Sequence, residues 1–395
     1  MASSESSPLV GKRESAMRGG SIASSLVCLL GDERHGRVPT VTGEDRTLRM
    51  PSGAAIHARF WGIPSLPDGS APRALVLLVH GYGHYMDGFF DRLASELCAL
   101  GLACAGVDLP GHGLSDGDRG LVVPIVECAE AALRVRQEAY LDLPSGLPCI
   151  FYGESLGGAV ATMAATLAPA DCQALCLMWP LMGVPAPPNT VTHVFLSVLA
   201  ALCPGLVVRA AVEAGDYSFA DPKKREDTKT DPHRYAGGMR AGSAARMLAA
   251  GELMLAAAKS IRCPVFAVHS ATDIITSAAR SREWVRSLAV TDKQHVLVDA
   301  GAHNLWWEPS DLRSKLLATI GAWMRERADL ARSAKPSERA AGLGNRKAVP
   351  AEEQEVSWPA GSGAFDPVEV APKASAGGVP VAAPPAAVRR VGRPA

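Results

Sequence analysis

Residues 148–169 read PCIFYGESLGGAVATMAATLAP. Cys149 to Tyr152 make an unbroken apolar run of strand length, and Leu156 to Ala168 make an alanine-rich helical stretch that Pro169 closes. Between them stands Gly153-Glu154-Ser155-Leu156-Gly157, a match to G-x-S-x-G, in which a serine occupies a sharp, strained turn from strand to helix. Strand and helix cross tightly at such a turn, so the residues two before and two after the serine must be small. Gly153 and Gly157 meet that requirement. In a chain with 38 glycines the pattern alone can arise by chance. Its place between an apolar strand and a helix makes Ser155 a candidate nucleophile.

Working outward, Ala74 to Val79 form a second solid apolar run, the mark of a strand covered on both faces. Phe90, Leu93, Leu97 and Leu100 then recur at helical spacing, and Gly101 ends that helix. The rhythm repeats with ACAGVDL from Ala103, a helix from about Val123 to Leu141, the elbow strand, and ALCLMWP from Ala174 to Pro180. It predicts an α/β fold with a mostly parallel central sheet, helices on both faces, and a ligand site at the carboxyl ends of the strands. Ahead of it, TLRM from Thr47 and AIHARFWGI from Ala55 flank a turn and read as an antiparallel hairpin, with His57 an ordinary strand residue. From about 181 to 258 the rhythm breaks into a proline-rich apolar stretch, a charged FADPKKREDTKTDPHRYAGG stretch and a small-residue helix. An insertion of this kind between two strands reads as a helical lid. The alternation resumes with PVFAVHS, a helix around Glu283 to Leu288, HVLVD, and a last helix from about Leu312 to Leu330. The expected organisation is a disordered segment over 1–40, an α/β domain over 41–330 and a disordered Pro/Ala/Gly-rich tail over 331–395.

Lysine plus arginine balance aspartate plus glutamate at 40 each, so no global field favours nucleic acid or an anionic membrane. The nine cysteines show no CxxC pair and no His/Cys cluster, and several lie in apolar runs; they read as buried thiols of a reducing compartment. No P-loop, HExxH or EF-hand pattern is present, and neither cofactor nor metal is expected. The apolar stretch from Val194 to Val208 is broken by Pro204 and Gly205, which argues against a membrane span. Ile22 to Leu30 is short, serine-interrupted and lacks a small-residue cleavage pattern, so a cytoplasmic or membrane-peripheral location is expected over secretion. The serine and arginine content there is compatible with a plastid transit peptide.

A serine hydroxyl needs a base, and the base needs a third group to fix its tautomer. In sheets of this kind the order along the chain is Ser, then Asp or Glu, then His. Asp273, in SATDIIT after PVFAVHS, and His303, in AGAHNLW after HVLVD, fit that order on loops that follow strands. Asp299 is a rival acid because it also ends a strand. His269 and His295 lie in strands and read as structural; His193 and His233 fall in the lid, within reach of a substrate. An acyl oxyanion needs two donors: the backbone N–H of Leu156 and, from His80-Gly81-Tyr82-Gly83 after the early strand, the N–H of Tyr82.

Taken in order, HGYG, DLPGHGLSDGDRG, GESLGGAV, DPKKRE, TDPHRYAGGMR, VHSATDIITS and AGAHNLWWEP resemble the plant-type monoacylglycerol lipase and lysophospholipase-like family of α/β-hydrolases, which includes caffeoylshikimate esterases. The resemblance covers about Thr47 to Arg327. It implies hydrolysis of a fatty acyl monoester through Ser155 as nucleophile, Asp273 as its acid and His303 as its base. Lysophospholipids and phenolic esters are alternative substrates, and a ligand receptor that keeps the fold is an alternative of another class. His84, Tyr85 and Ser270 depart from the family pattern, as do the tryptophans after His303, and these departures bear on substrate preference. Val194, Phe195, Leu196 and Leu199 are expected to line an acyl channel or rest on a membrane surface, against the plainer reading that they pack the lid on the body.

Overall fold

The apolar runs become the middle of a nine-stranded sheet. In the computed structural model, residues 40–209, 226, 229–299, 301–308, 310–350 and 354–358 are described. Residues 1–39, most of the DPKKRE stretch and the chain after Trp358 lie outside them, together with the expectations of disorder placed there.

The chain opens with β1 (Glu44–Arg49) and β2 (Ala55–Trp61), then β3 (Ala74–Val79), α1 (Gly88–Ala99), β4 (Leu102–Val107), α2 (Ile125–Ala139) and β5 (Cys149–Glu154). It continues through α3 (Leu156–Leu167), β6 (Ala174–Met178), α4 (Thr190–Leu202), β7 (Val207–Arg209), β8 (Met239–Arg240) and α5 (Ala241–Ala257). It closes with β9 (Val265–Ser270), α6 (Ala278–Ser287), β10 (Lys293–Val298), α7 (Ser310–Ser333), α8 (Pro336–Ala341) and β11 (Glu355–Trp358). The strand order is β1-β2-β4-β3-β5-β6-β9-β10-β11, antiparallel for β1 against β2 and β2 against β4 and parallel elsewhere.

Alternation along a strand fills two cores. Leu75, Leu77 and Val79 of β3 face a cluster with α2 and α3, whereas Val76 and Leu78 face one with α1 and α7. Such coverage of both faces is why β3 has no polar residue to alternate with. Local signals set the helix starts: Asp87 accepts the N–H of Phe89 at 3.0 Å ahead of α1, and Ser277 accepts that of Arg280 ahead of α6. Of the described cysteines, Cys203 is exposed and the others are buried free thiols.

Between β6 and β9 the chain leaves the sheet and builds α4, the two-stranded β7–β8 pair and α5, while β6 and β9 pair directly from Leu175 with Val265 to Met178 with Val268. The β7–β8 pair has no counterpart in the sequence reading. Beyond residue 331, where a disordered tail is expected, α7 runs to Ser333, α8 follows, and β11 adds a ninth strand in parallel beside β10. Leu343, Val349 and Trp358 are buried there. Single apolar residues separated by proline, glycine and charge give no periodic signal, and a four-residue strand is too short to show one.

Candidate active site

The crossing of β5 and α3 has no room for side chains. A Cβ on Gly153 would lie 2.2 Å from the carbonyl oxygen of Gly157, and one on Gly157 would lie 2.3 Å from that of Val79. Ser155 sits at the apex with φ 51° and ψ −118°, a region that costs an L-residue about 1–3 kcal/mol. The turn is held by the Ser155 N–H donating to Met178 at 3.0 Å and by the Ser155 carbonyl accepting from Gly158 and Leu181. The serine is buried, directly after the strand that stands fifth of nine in the sheet.

His303, on the loop after β10, places Nε2 3.0 Å from Ser155 Oγ and Nδ1 2.7 Å from Oδ2 of Asp273, on the loop after β9. Asp273 is the most heavily coordinated group in the site. Its Oδ1 accepts the backbone N–H groups of Ile275 (2.8 Å) and Thr276 (3.0 Å), and its Oδ2 also accepts the Thr276 hydroxyl at 2.8 Å. His269 Nε2 stands 3.2 Å from the same Oδ2. Burial alone would raise the Asp273 pKa, but the imidazoles of His303 and His269 and their hydrogen bonds outweigh it and hold the carboxyl well below the usual carboxylate range. An ionised Asp273 fixes the proton of His303 on Nδ1 and leaves Nε2 free to accept from the serine.

The loop after β3 closes the other side. His80 is buried, and burial lowers its pKa to about 3, so its ring is neutral. Nδ1 donates to the Gly81 carbonyl at 2.7 Å, and Nε2 accepts the Leu109 N–H at 3.0 Å. The Tyr82 hydroxyl donates to the Gly120 carbonyl at 2.9 Å. Gly81 lies against the serine: a Cβ there would be 3.2 Å from that of Ser155. Leu156 begins α3, so its N–H has no acceptor within the helix.

The other sequence candidates lie elsewhere. Asp299 accepts from the Ser357 hydroxyl at 2.6 Å and donates its N–H to Trp358, facing the edge strand. His295 is buried in β10, where burial lowers its pKa to about 3; His193 and His233 are exposed. His57 is more than a strand residue, with Nδ1 2.8 Å from Asp108 and Nε2 3.1 Å from Asp45. Three partners were not singled out for the site in the sequence: His269 and Thr276 on Asp273, and Glu154 beside Ser155. Their signal is position alone, since each lies within four residues of Asp273 or Ser155. Among the described residues, no group of three or more His, Cys, Asp or Glu could hold a metal ion.

Residues 70–310 match the family described as serine aminopeptidase, S33, which spans more than half of the chain. The chain belongs to this family. Its fold is accordingly that of the α/β-hydrolases, with the serine at the strand-to-helix elbow. Among curated relatives, the chain is 29% identical over 259 residues to a monoacylglycerol lipase of Mycolicibacterium smegmatis, covering 65% of this chain and 90% of the relative. It is 25% identical over 267 residues to the caffeoylshikimate esterase of Arabidopsis thaliana, covering 66% and 80%. Among solved structures, a soluble variant of monoglyceride lipase from Saccharomyces cerevisiae superposes with a TM-score of 0.63 at 18% identity, covering 74% of this chain and 98% of that one.

Proposed function

We propose that the protein hydrolyses the ester bond of monoacylglycerols, with Ser155 as nucleophile, His303 as general base and Asp273 as the acid that orients it. The observation that carries this reading is the continuous hydrogen-bonded path from Asp273 Oδ2 through His303 to Ser155 Oγ at the carboxyl ends of parallel strands. Relatives that bear the names monoacylglycerol lipase and monoglyceride lipase supply the substrate class.

In this mechanism Ser155 Oγ attacks the ester carbonyl as His303 Nε2 takes its proton. The backbone N–H groups of Tyr82 and Leu156 face the oxygen that becomes negative. His303 then protonates the departing glycerol oxygen, which leaves an acyl group on Ser155. Water, activated by the same imidazole, attacks that acyl carbon and frees the fatty acid.

The insertion between β6 and β9 serves as a lid, and its first helix is the part that meets lipid. No residue of α4 is buried. Val191, Val194, Phe195, Val198 and Leu202 recur at helical spacing and are all exposed, with Phe195 at 66% and Val191 at 80%. At thirteen residues the helix is too short to span a bilayer, and no described helix is long and apolar enough to cross one. An exposed apolar face of this kind suits a helix lying in the surface of the membrane or micelle that holds the substrate.

A fluorophosphonate probe and a substrate panel test the reading. Ser155 should be labelled, and 2-monoacylglycerol should be hydrolysed faster than lysophosphatidylcholine or caffeoylshikimate. Ser155→Ala should lose labelling and turnover together; hydrolysis by that variant near the wild-type rate would remove the assignment.

A further inference from the structure

One buried acid beside the nucleophile is not used by the mechanism. Glu154 ends β5 and directly precedes Ser155, with almost no exposure. Its Oε1 accepts the Tyr152 hydroxyl at 2.6 Å and the indole N–H of Trp306 at 3.1 Å, and the same indole lies 3.0 Å from the Tyr152 oxygen. Trp306 is three residues beyond His303, in the short 3₁₀ turn Leu305–Trp307. Its ring packs 6.3 Å from Trp179 and 6.0 Å from Phe89, and the Trp179 ring lies 6.4 Å from the His303 imidazole. Trp179 adopts φ 39°, unusual for a non-glycine residue, and its carbonyl lies 3.2 Å from the hydroxyl of Thr276, the residue that bonds Asp273.

These contacts join the two loops whose relative placement sets the distance between Ser155 and His303. Leucine or phenylalanine would fill the same volume without buried polar atoms. A carboxyl in such a place costs desolvation unless its bonds are made, so its presence fixes one arrangement of its partners.

We propose that Glu154 is a positioning residue: through the indole N–H of Trp306 it ties the loop that carries His303 to the strand end that carries Ser155. The inference rests on the reading of Ser155 and His303 as the reacting pair. Burial raises the Glu154 pKa, the bonds from Tyr152 and Trp306 lower it, Asp87 raises it and Arg234 lowers it, with a net value of about 7. The tie therefore changes charge within the neutral range, flanked by Tyr152 on its own strand, Trp306 on the His303 loop, Asp87 ahead of α1 and Arg234 from the insertion.

Glu154→Leu, Trp306→Phe, the double variant and Ser155→Ala are compared for kcat and KM on 2-monoacylglycerol. Each of the first two should lower kcat about tenfold with KM within about twofold, because a displaced base harms chemistry more than binding. The double variant should lose no more than either single one, since both cut the same link. Glu154→Gln keeps an oxygen that can accept both bonds and should hold kcat within about twofold of wild type, which separates a lost tie from a lost charge. Losses that multiply in the double variant, wild-type kcat in Glu154→Leu, or a loss in Glu154→Gln as large as that in Glu154→Leu would each overturn the positioning role and leave Ser155 in place. Turnover by Ser155→Ala at the wild-type rate would instead sink the reading beneath it. Trp306→Phe leaves Glu154 in place and removes only the indole N–H from the tie, so it decides the matter even if the Glu154 variant fails to fold.

Discussion

In Asp273→Asn, one carboxylate oxygen becomes an NH₂ group that donates where it formerly accepted. If the nitrogen takes the Oδ2 position, it meets the His303 Nδ1 site at 2.7 Å and the Thr276 hydroxyl at 2.8 Å. The imidazole must then accept at Nδ1 and carry its proton on Nε2, where it cannot take one from Ser155. If the amide turns over, the nitrogen meets the backbone N–H groups of Ile275 and Thr276, at 2.8 and 3.0 Å, which have no freedom to rotate. Only the second arrangement sets donor against donor, at a cost of about 1–3 kcal/mol, so the first is favoured and with it the altered tautomer. The wrong tautomer should lower kcat by about four orders of magnitude, or roughly 5.5 kcal/mol of barrier. The assay is kcat on 2-monoacylglycerol at pH 8, with thermal unfolding recorded to show a folded variant and Asp299→Asn as a control that retains wild-type rates. A folded Asp273→Asn enzyme within tenfold of wild type would refute the argument, and a large loss in the control would move the acid to residue 299.

Two further outcomes follow from other parts of the molecule. Burial works to lower the His57 pKa, but Asp108 and Asp45 outweigh it and raise the net value. A raised value in the folded state stabilises the fold fully below the unfolded histidine pKa of about 6.5 and loses that contribution as pH rises through the folded one. Thermal unfolding should therefore separate wild type from His57→Gln most at about pH 5.5, with the gap narrowing toward pH 9; a constant gap would contradict the linkage. On α4, changing Val194 and Phe195 together to Asp should remove about 3 kcal/mol of lipid-surface affinity, more than a hundredfold in partitioning to vesicles. Co-sedimentation measures it, and unchanged binding would exclude that helix as the docking face.

The sheet was legible because burial on both faces leaves long apolar runs, as in ALVLLV of β3, and because G-x-S-x-G falls between such a run and a helix. Asp273 and His303 were legible from chain order, since each follows a strand whose carboxyl end points toward Ser155. The supporting contacts were less so. His269 looks like any residue of a buried strand, and nothing in VHSATD says that its imidazole turns onto Asp273. His57 meets Asp108 only because β2 and β4 are neighbours, a pairing between segments far apart in the chain. The boundary near residue 331 failed because β11 is held by pairing with β10 and by a few separated side chains, a tertiary effect that a local window does not contain.

Because β6 and β9 bond to one another directly, the strands that precede Asp273 and His303 keep their register with the strand that ends at Ser155 without most of the excursion between them. The stretch 184–240 can therefore be lengthened, shortened or exchanged while the strand register stays fixed. Substrate choice and membrane habit can then evolve on one piece of chain while the chemistry is conserved on another, and grafting this segment between family members is a practical route to altered selectivity.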